Sequence, residues 1–112
     1  MRKIDSNGPN SIVVMDEPGP GNVCHEYQIL RDGKELCVIK FQRGPAKENG
    51  EPGVTELDLL EILLDRFAGY QSGPYRCRET ACAATKTEEA LMWLMRRRDA
   101  REKRGVLGTS AV

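Results

Sequence analysis

The sequence lacks the residues from which most metal and nucleophilic sites are built. His25 is the only histidine, and the four cysteines contain no C-x-x-C pair, so the usual zinc-ligand spacings are absent. No strand-to-helix elbow presents a serine or cysteine beside His25, and neither G-x-x-x-x-G-K-[ST] nor G-x-G-x-x-G occurs. We therefore expect no catalytic residue, no metal and no cofactor, so that the protein is not an enzyme. Small apolar packing is the predicted role of all four cysteines.

Long apolar runs are missing as well, whereas a membrane helix needs about 20 consecutive apolar residues. The N-terminal residues contain no apolar segment of the kind found in secretory signals. The 112 residues are 39% hydrophobic and 30% charged, which is typical of one small folded domain. Cysteines without a secretory signal favour a reducing compartment. The predicted location is the cytoplasm, with no membrane partner.

The chain has no net charge, but its N-terminal half is acidic and its C-terminal half is basic. The chain has 17 Lys and Arg against 17 Asp and Glu. Residues 1–65 carry seven basic and twelve acidic side chains, and residues 66–112 carry ten basic and five acidic ones. An anionic partner is therefore expected at the C-terminal half. The zero net charge argues against duplex nucleic acid, where affinity follows the number of neutralised phosphates.

A β-hairpin is predicted over residues 23–42. Asp32-Gly33 favours a type I′ turn, whose two central residues both need positive φ, and this turn pairs Arg31 with Lys34. The same register predicts three further cross-strand pairs, which are Tyr27 with Val38, Ile29 with Leu36 and His25 with Lys40. Cys37 and Ile39 then lie on the face opposite to Tyr27.

Two helices are predicted after the hairpin. Thr55 and Asp58 form a capping box at the start of a helix over residues 56–70, in which leucines recur at three- and four-residue spacing. A glycine- and proline-containing turn separates it from a second helix over residues 76–104. The fold class is α+β, with an N-terminal antiparallel β-hairpin or small sheet packed on a C-terminal two-helix hairpin, in an oligomer. The expected division is a flexible arm over residues 1–21, one domain over 22–109 and a tail over 110–112.

The junction between the two helices collects side chains suited to a nucleotide. Aromatic faces stack bases, while arginines and helix-start N–H groups hold phosphates. The candidate residues are Tyr70, Tyr75, Arg76, Arg78 and Thr80. The same composition also fits a plain turn in which the aromatics are packing wedges.

The end of the second helix is basic. Arg97 and Arg101 share one face at i, i+4 spacing, a pattern that also fits a solvated surface. Trp93 lies nearly opposite the apolar arc of this helix and Glu88 lies within it. A tryptophan off the apolar arc is typical of an oligomer or ligand contact, and also occurs as a partly covered surface residue.

Several segments resemble a phage-encoded family. They are Cys24-His25-Glu26-Tyr27, Phe41-Gln42-Arg43-Gly44-Pro45, Gly53-Val54-Thr55, Gly69-Tyr70-Gln71-Ser72-Gly73-Pro74-Tyr75, Cys77-Arg78-Glu79-Thr80 and Glu88-Glu89-Ala90-Leu91-Met92-Trp93-Leu94. The family is the first type of Thoeris anti-defence protein, which shares a helical hairpin with a group of anti-CBASS sponges, and the likeness covers residues 22–109. The resemblance implies non-catalytic sequestration of glycocyclic ADP-ribose isomers and, in some members, cyclic trinucleotides. The implied location is the cytoplasm of an infected or lysogenic bacterial host.

The resemblance also implies roles for particular residues. Tyr70 matches an aromatic of the glycocyclic ADP-ribose pocket, and Thr80 stands where the family usually has asparagine. Arg97 and Arg101 match a basic pair that binds cyclic trinucleotides where three subunits meet. The family's assembly, a hexamer built as a trimer of dimers, would make oligomer contacts of two further residues, Trp93 and Glu88. The alternative function is a small oligomeric interaction protein, or a nucleic-acid-binding module that uses the basic C-terminal helix.

Overall fold

Strands occupy the N-terminal half of the chain and helices the C-terminal half in a computed structural model that describes all 112 residues. A four-stranded antiparallel sheet has the order β1-β2-β3-β4 and precedes two helices, which confirms the α+β class. The elements are β1 (Arg2–Ile4), β2 (Ser11–Val14), a 3₁₀ turn (Pro20–Asn22), β3 (Glu26–Arg31), β4 (Lys34–Lys40), α1 (Glu56–Gln71) and α2 (Arg78–Lys103).

The chain contacts divide into two units, which are described separately. The sheet unit holds residues 1–54 with 108–110 and 112, and the helical unit holds residues 55–107 with 111. None of the helices is both long enough and apolar enough to cross a membrane.

The first two strands lie within residues 1–21, for which the sequence predicted a flexible arm. β1 pairs with β2, with Ile4 opposite Ile12, and β2 pairs with β3, with Val14 opposite Tyr27. β1 has three residues and β2 has four, too few to display a convincing period-two pattern between glycines and prolines. Their strand structure is completed by the ladder to β3, in which Val14 becomes fully buried.

The β3–β4 turn matches the prediction. Asp32 has φ 52° and Gly33 has φ 76°, the positive values that a type I′ turn requires. Arg31 lies opposite Lys34 as expected, and Leu30 lies opposite Glu35.

Beyond this turn the predicted register is wrong. Ile29 pairs with Cys37 and Tyr27 with Ile39, because the ladder shifts between Ile29 and Leu30. Leu36 is the extra residue of this β-bulge. Since a one-residue shift moves every later side chain to the other face, Cys37 and Ile39 share the face of Tyr27 rather than opposing it.

His25 is displaced by the same bulge. The residue paired with Lys40 is Glu26, while the backbone oxygen of His25 accepts a hydrogen bond from the N–H of Phe41 at 2.8 Å. The His25 side chain is buried, and its Nδ1 lies 4.0 Å from Asp16 Oδ2, too far for a hydrogen bond.

Asp16 joins the ends of β2, β3 and β4. Its carboxylate accepts hydrogen bonds from the N–H groups of His25 and Glu26 and from the Arg43 guanidinium at 2.7 Å. Burial raises the pKa of Asp16, but these donors and the positive charge of Arg43 outweigh it, so that the net pKa is lowered.

We expect the Asp16 contacts to make the sheet unit acid-sensitive. Because its folded pKa lies below its unfolded value of about 3.9, the stabilisation is present above about pH 4 and is lost as the pH falls through the folded pKa. Asp16→Asn should lower the free energy of unfolding by about 1–3 kcal/mol at pH 7 and flatten its pH dependence. Urea unfolding followed by circular dichroism at pH 7 and pH 3 measures both. Glu17→Gln, an exposed neighbour, is the control, and an equally steep pH dependence in Asp16→Asn would contradict the expectation.

Both helices begin at side-chain caps. At α1 the predicted capping box is confirmed, since Thr55 N–H donates to Asp58 Oδ2 at 2.8 Å and Asp58 N–H donates to Thr55 Oγ1 at 3.3 Å. At α2 the cap is Cys77, whose Sγ accepts from the N–H of Thr80 at 3.4 Å. Cysteine is not a usual N-cap residue, which is why the sequence pattern placed this helix start slightly too early.

The expectation that all four cysteines pack in the interior is wrong. Cys24 is buried, whereas Cys37, Cys77 and Cys82 are exposed. The bulge of β4 changes the face of Cys37, and Cys77 serves as a helix cap.

Candidate ligand-binding site

Side-chain hydrogen bonds stabilise the turn between α1 and α2 at both of its ends. Gln71 Nε2 donates to the backbone oxygen of Cys77, and Cys77 N–H donates back to Gln71 Oε1, both at 3.1 Å. Ser72 Oγ donates to the oxygen of Gly69 at 2.9 Å, and Arg76 N–H donates to the oxygen of Gly73 at 3.4 Å. These bonds hold the junction, which contains the candidate residues, in one conformation.

The candidate residues of the junction lie mostly at the surface. Tyr70 is 43% exposed near the end of α1, and Tyr75 is 77% exposed in the turn. Arg76 in the turn and Arg78 at the first position of α2 are also exposed. Such side chains are available for stacking and for charge-assisted hydrogen bonds.

Thr80 belongs to the cap of α2. Its hydroxyl oxygen accepts a hydrogen bond from the Cys77 thiol at 3.2 Å, while its backbone N–H donates to the same sulfur. A hydroxyl has one hydrogen to donate as well, so this half-buried threonine keeps a donor for a ligand.

Arg66 lies one turn before Tyr70 on α1 and was not among the candidate residues of the sequence analysis. Its Nη2 donates to the Tyr70 hydroxyl at 3.2 Å, and its Cζ lies 5.8 Å from the centre of the Tyr70 ring. The i, i+4 spacing of an arginine and an aromatic on one helix face is the signal that could have identified this pair.

A groove runs between α1 and α2 within the helical unit. Its volume is about 590 Å³, and it is lined mainly by apolar residues, together with Gln71, Thr85 and Glu88. A second hollow of about 330 Å³ continues from Glu88 along α2 past Leu91 and Met95. Neither helix contains a fully buried residue, so the two-helix hairpin leaves much apolar area in water, interrupted by the carboxylates of Glu88 and Asp99.

The two arginines at the end of α2 differ in their surroundings. Arg97 is exposed, while Arg101 is half-buried and its Nη2 donates to the backbone oxygen of Val106 at 3.1 Å. Arg101 therefore also holds the chain that follows α2. Thr80 and Arg101 lie near opposite ends of this 26-residue helix, which is about 39 Å long at the α-helical rise.

Trp93 lies at the surface of α2, with 55% of its area exposed. Its ring carries the guanidinium of Arg96 at 4.9 Å from a ring centre, a cation–π contact. The sequence analysis did not identify Arg96 as a neighbour of Trp93. On the same helix, Lys86 pairs with Glu89 at 3.9 Å.

The fold and these surfaces define a small α+β protein whose two-helix hairpin displays aromatic, apolar and cationic side chains. Residues 33–98 match the family described as Acb2/Tad1, hairpin domain, a segment that contains β4, α1 and most of α2. The chain is also similar to Thoeris anti-defense 1 of Bacillus phage SBSphiJ7, with 36% identity over 117 aligned positions that cover 96% of this chain and 82% of the relative. The chain belongs to the Acb2/Tad1 hairpin-domain family, as the resemblance in its sequence predicted.

Proposed function

We propose that this protein counteracts bacterial anti-phage signalling by binding a cyclic nucleotide-type signal without converting it. The observation that carries the proposal is the family's helical hairpin bearing two groups of nucleotide-compatible side chains at opposite ends of α2. Its similarity to a Thoeris anti-defence protein of a Bacillus phage supports the same biological role. The protein would act in the cytoplasm of the infected or lysogenic host.

The junction is the proposed site for a glycocyclic ADP-ribose isomer. Tyr70 provides a ring for the adenine, and Arg76 or Arg78 provides charge for the pyrophosphate. Tyr75 offers a second exposed ring, and Thr80 offers its hydroxyl hydrogen. The hydrogen bonds within the turn support this assignment because they order the site before a ligand binds. A preordered site loses less conformational entropy on binding.

The basic end of α2 is the proposed site for a cyclic trinucleotide. Such a ligand carries three phosphates around a ring, so an assembly with a threefold axis would present Arg97 and Arg101 to it three times over. A hexamer built as a trimer of dimers has that axis. Trp93, Glu88 and the apolar groove of the hairpin are the proposed contacts between copies, because association would cover apolar area that one chain leaves in water.

Sequestration sets a requirement on affinity. A binder at a concentration near its Kd removes only about half of its ligand, so the Kd must lie well below the concentration at which the signal activates its effector. Nanomolar binding corresponds to about −12 kcal/mol. A base stack together with several charge-assisted hydrogen bonds is of a size to supply it.

Release of intact ligand tests the proposal. The purified protein is mixed with glycocyclic ADP-ribose isomers and with cyclic di- and trinucleotides, separated from unbound ligand and then heat-denatured. We expect at least one ligand to be retained at a fixed stoichiometry and recovered chemically unchanged by chromatography. Linear ADP-ribose or cleaved oligonucleotide at catalytic amounts would contradict it. Failure to retain any of the ligands would favour an interaction protein that acts through the exposed Trp93.

A further inference from the structure

We propose that Arg66 is a further ligand-binding residue of the junction, which pairs with the phosphate oxygens of a nucleotide whose base stacks on Tyr70. The inference rests on the proposed function and extends its first site by one turn of α1, away from Arg76 and Arg78. It starts from the contact between the two side chains, since Arg66 Nη2 donates to the Tyr70 hydroxyl at 3.2 Å.

The charge of Arg66 is not neutralised within the helix. The positions three and four residues away are Ile62, Leu63, Gly69 and Tyr70, none of which is acidic. Arg66 takes part in none of the chain's ion pairs, unlike Arg98, which pairs with Asp99 at 3.5 Å. A guanidinium has five N–H donors, so the single bond to Tyr70 leaves most of them for an anion.

The surroundings of Arg66 favour a strong contact with such an anion. Ile62 is 57% exposed and Leu63 is 41% exposed, so apolar area lies in water on the α1 surface one turn before Arg66. A ligand that covers this area would exclude water from the ion pair, and charge-assisted hydrogen bonds are stronger where water is excluded.

The surface beside the pair has room for a ligand. A side-chain carbon placed on Gly69 would meet no atom within 4 Å apart from its chain neighbours and the backbone of α1, so the helix surface at Gly69, one turn after Arg66, is open. The guanidinium stands at the hydroxyl end of that ring. In the proposed arrangement a base stacks on the ring with its sugar toward the hydroxyl, which brings the phosphates within reach of the Arg66 N–H donors.

Binding of a glycocyclic ADP-ribose by calorimetry tests this role. Arg66→Gln should weaken binding about 10- to 100-fold, and Arg66→Lys should recover part of the loss because it keeps the charge but not the planar fork. Raising the salt from about 50 to about 300 mM should weaken the wild type more than Arg66→Gln, because salt screens an exposed charge pair. The matched control is Arg98→Gln, which changes an exposed arginine of α2. Its affinity for the glycocyclic ADP-ribose should stay within about twofold of the wild-type value.

Three outcomes separate the possible errors. If the wild type fails to bind the ligand, the proposed function of the junction is wrong, and this inference falls with it. If the wild type binds and Arg66→Gln binds equally well, the inference alone is wrong. If Arg66→Gln and Tyr70→Phe weaken binding equally and the salt dependence does not change, Arg66 only positions the ring and the phosphate contact is overturned. Unchanged helicity by circular dichroism shows that each variant is folded.

Discussion

Replacing both Arg97 and Arg101 with alanine should abolish cyclic trinucleotide binding. The proposed site repeats these arginines around a threefold axis, so each loss counts three times. With each charge-assisted contact worth about 1.5–3 kcal/mol, the loss of three such contacts alone weakens binding roughly 1,000-fold or more. Calorimetry with a cyclic trinucleotide measures it, and glycocyclic ADP-ribose binding should be unchanged because the junction lies near the other end of α2.

The controls for this variant address charge and structure separately. Arg98→Ala with Lys103→Ala removes the same charge from other faces of α2 and should bind the trinucleotide nearly as well as the wild type. Since Arg101 also holds the backbone oxygen of Val106, Arg97→Ala alone tests the site without disturbing that contact. Light scattering should give the same mass for every variant, well above the 12.5 kDa of one chain. A folded double mutant that still binds the trinucleotide would refute the site, and a monomeric wild type would refute its threefold form.

Tyr70→Ala should weaken glycocyclic ADP-ribose binding about 5- to 150-fold. A base stacked on an aromatic ring is worth about 1–3 kcal/mol by alanine substitution, which converts to this range. The side chain is 43% exposed, so its removal should leave the helical hairpin folded. Calorimetry with both ligand classes measures the effect, and trinucleotide binding should not change.

Tyr70→Phe is the matched control for the ring. It keeps the stacking surface and removes the hydroxyl that accepts the Arg66 hydrogen bond, so it should retain most of the affinity. Full binding by Tyr70→Ala would show that the adenine lies elsewhere in the junction. An equal loss of both ligand classes would show that the two sites are not independent.

The fold was predictable where local chemistry decides it. The Asp32-Gly33 turn and the Thr55 capping box depend on a few adjacent residues, and both are present as expected. The β3–β4 register on the side of the bulge away from the turn was not predictable, since the bulge depends on the pairing and packing of several residues in both strands. The N-terminal strands were hard to predict for a related reason, because segments of three or four residues form strands here only through pairing with neighbouring strands.

The candidate site was predictable as a set of residue types but not as a set of contacts. Tyr70, Tyr75 and the nearby arginines stand out in the sequence as aromatics and cations beside a helix start. Cys77 caps α2 and forms hydrogen bonds with both the N–H and the hydroxyl of Thr80. This role depends on backbone geometry that no sequence motif indicates. Arg66 lies outside the junction in sequence and joins it only because one helical turn places its guanidinium at the Tyr70 hydroxyl.

The bulge in β4 bears on how sequences of relatives should be aligned. Leu36 is the residue left over between the Leu30–Glu35 and Ile29–Cys37 pairs, and its side chain is 55% exposed. A relative that lacks one residue at this point could close the ladder into regular pairing, with Cys37 and Ile39 kept on their present face. An alignment gap placed at Leu36 keeps inward-facing residues aligned with inward-facing residues both before and after the bulge. A gap placed in the β3–β4 turn would instead align inward-facing residues with outward-facing ones between the turn and the bulge.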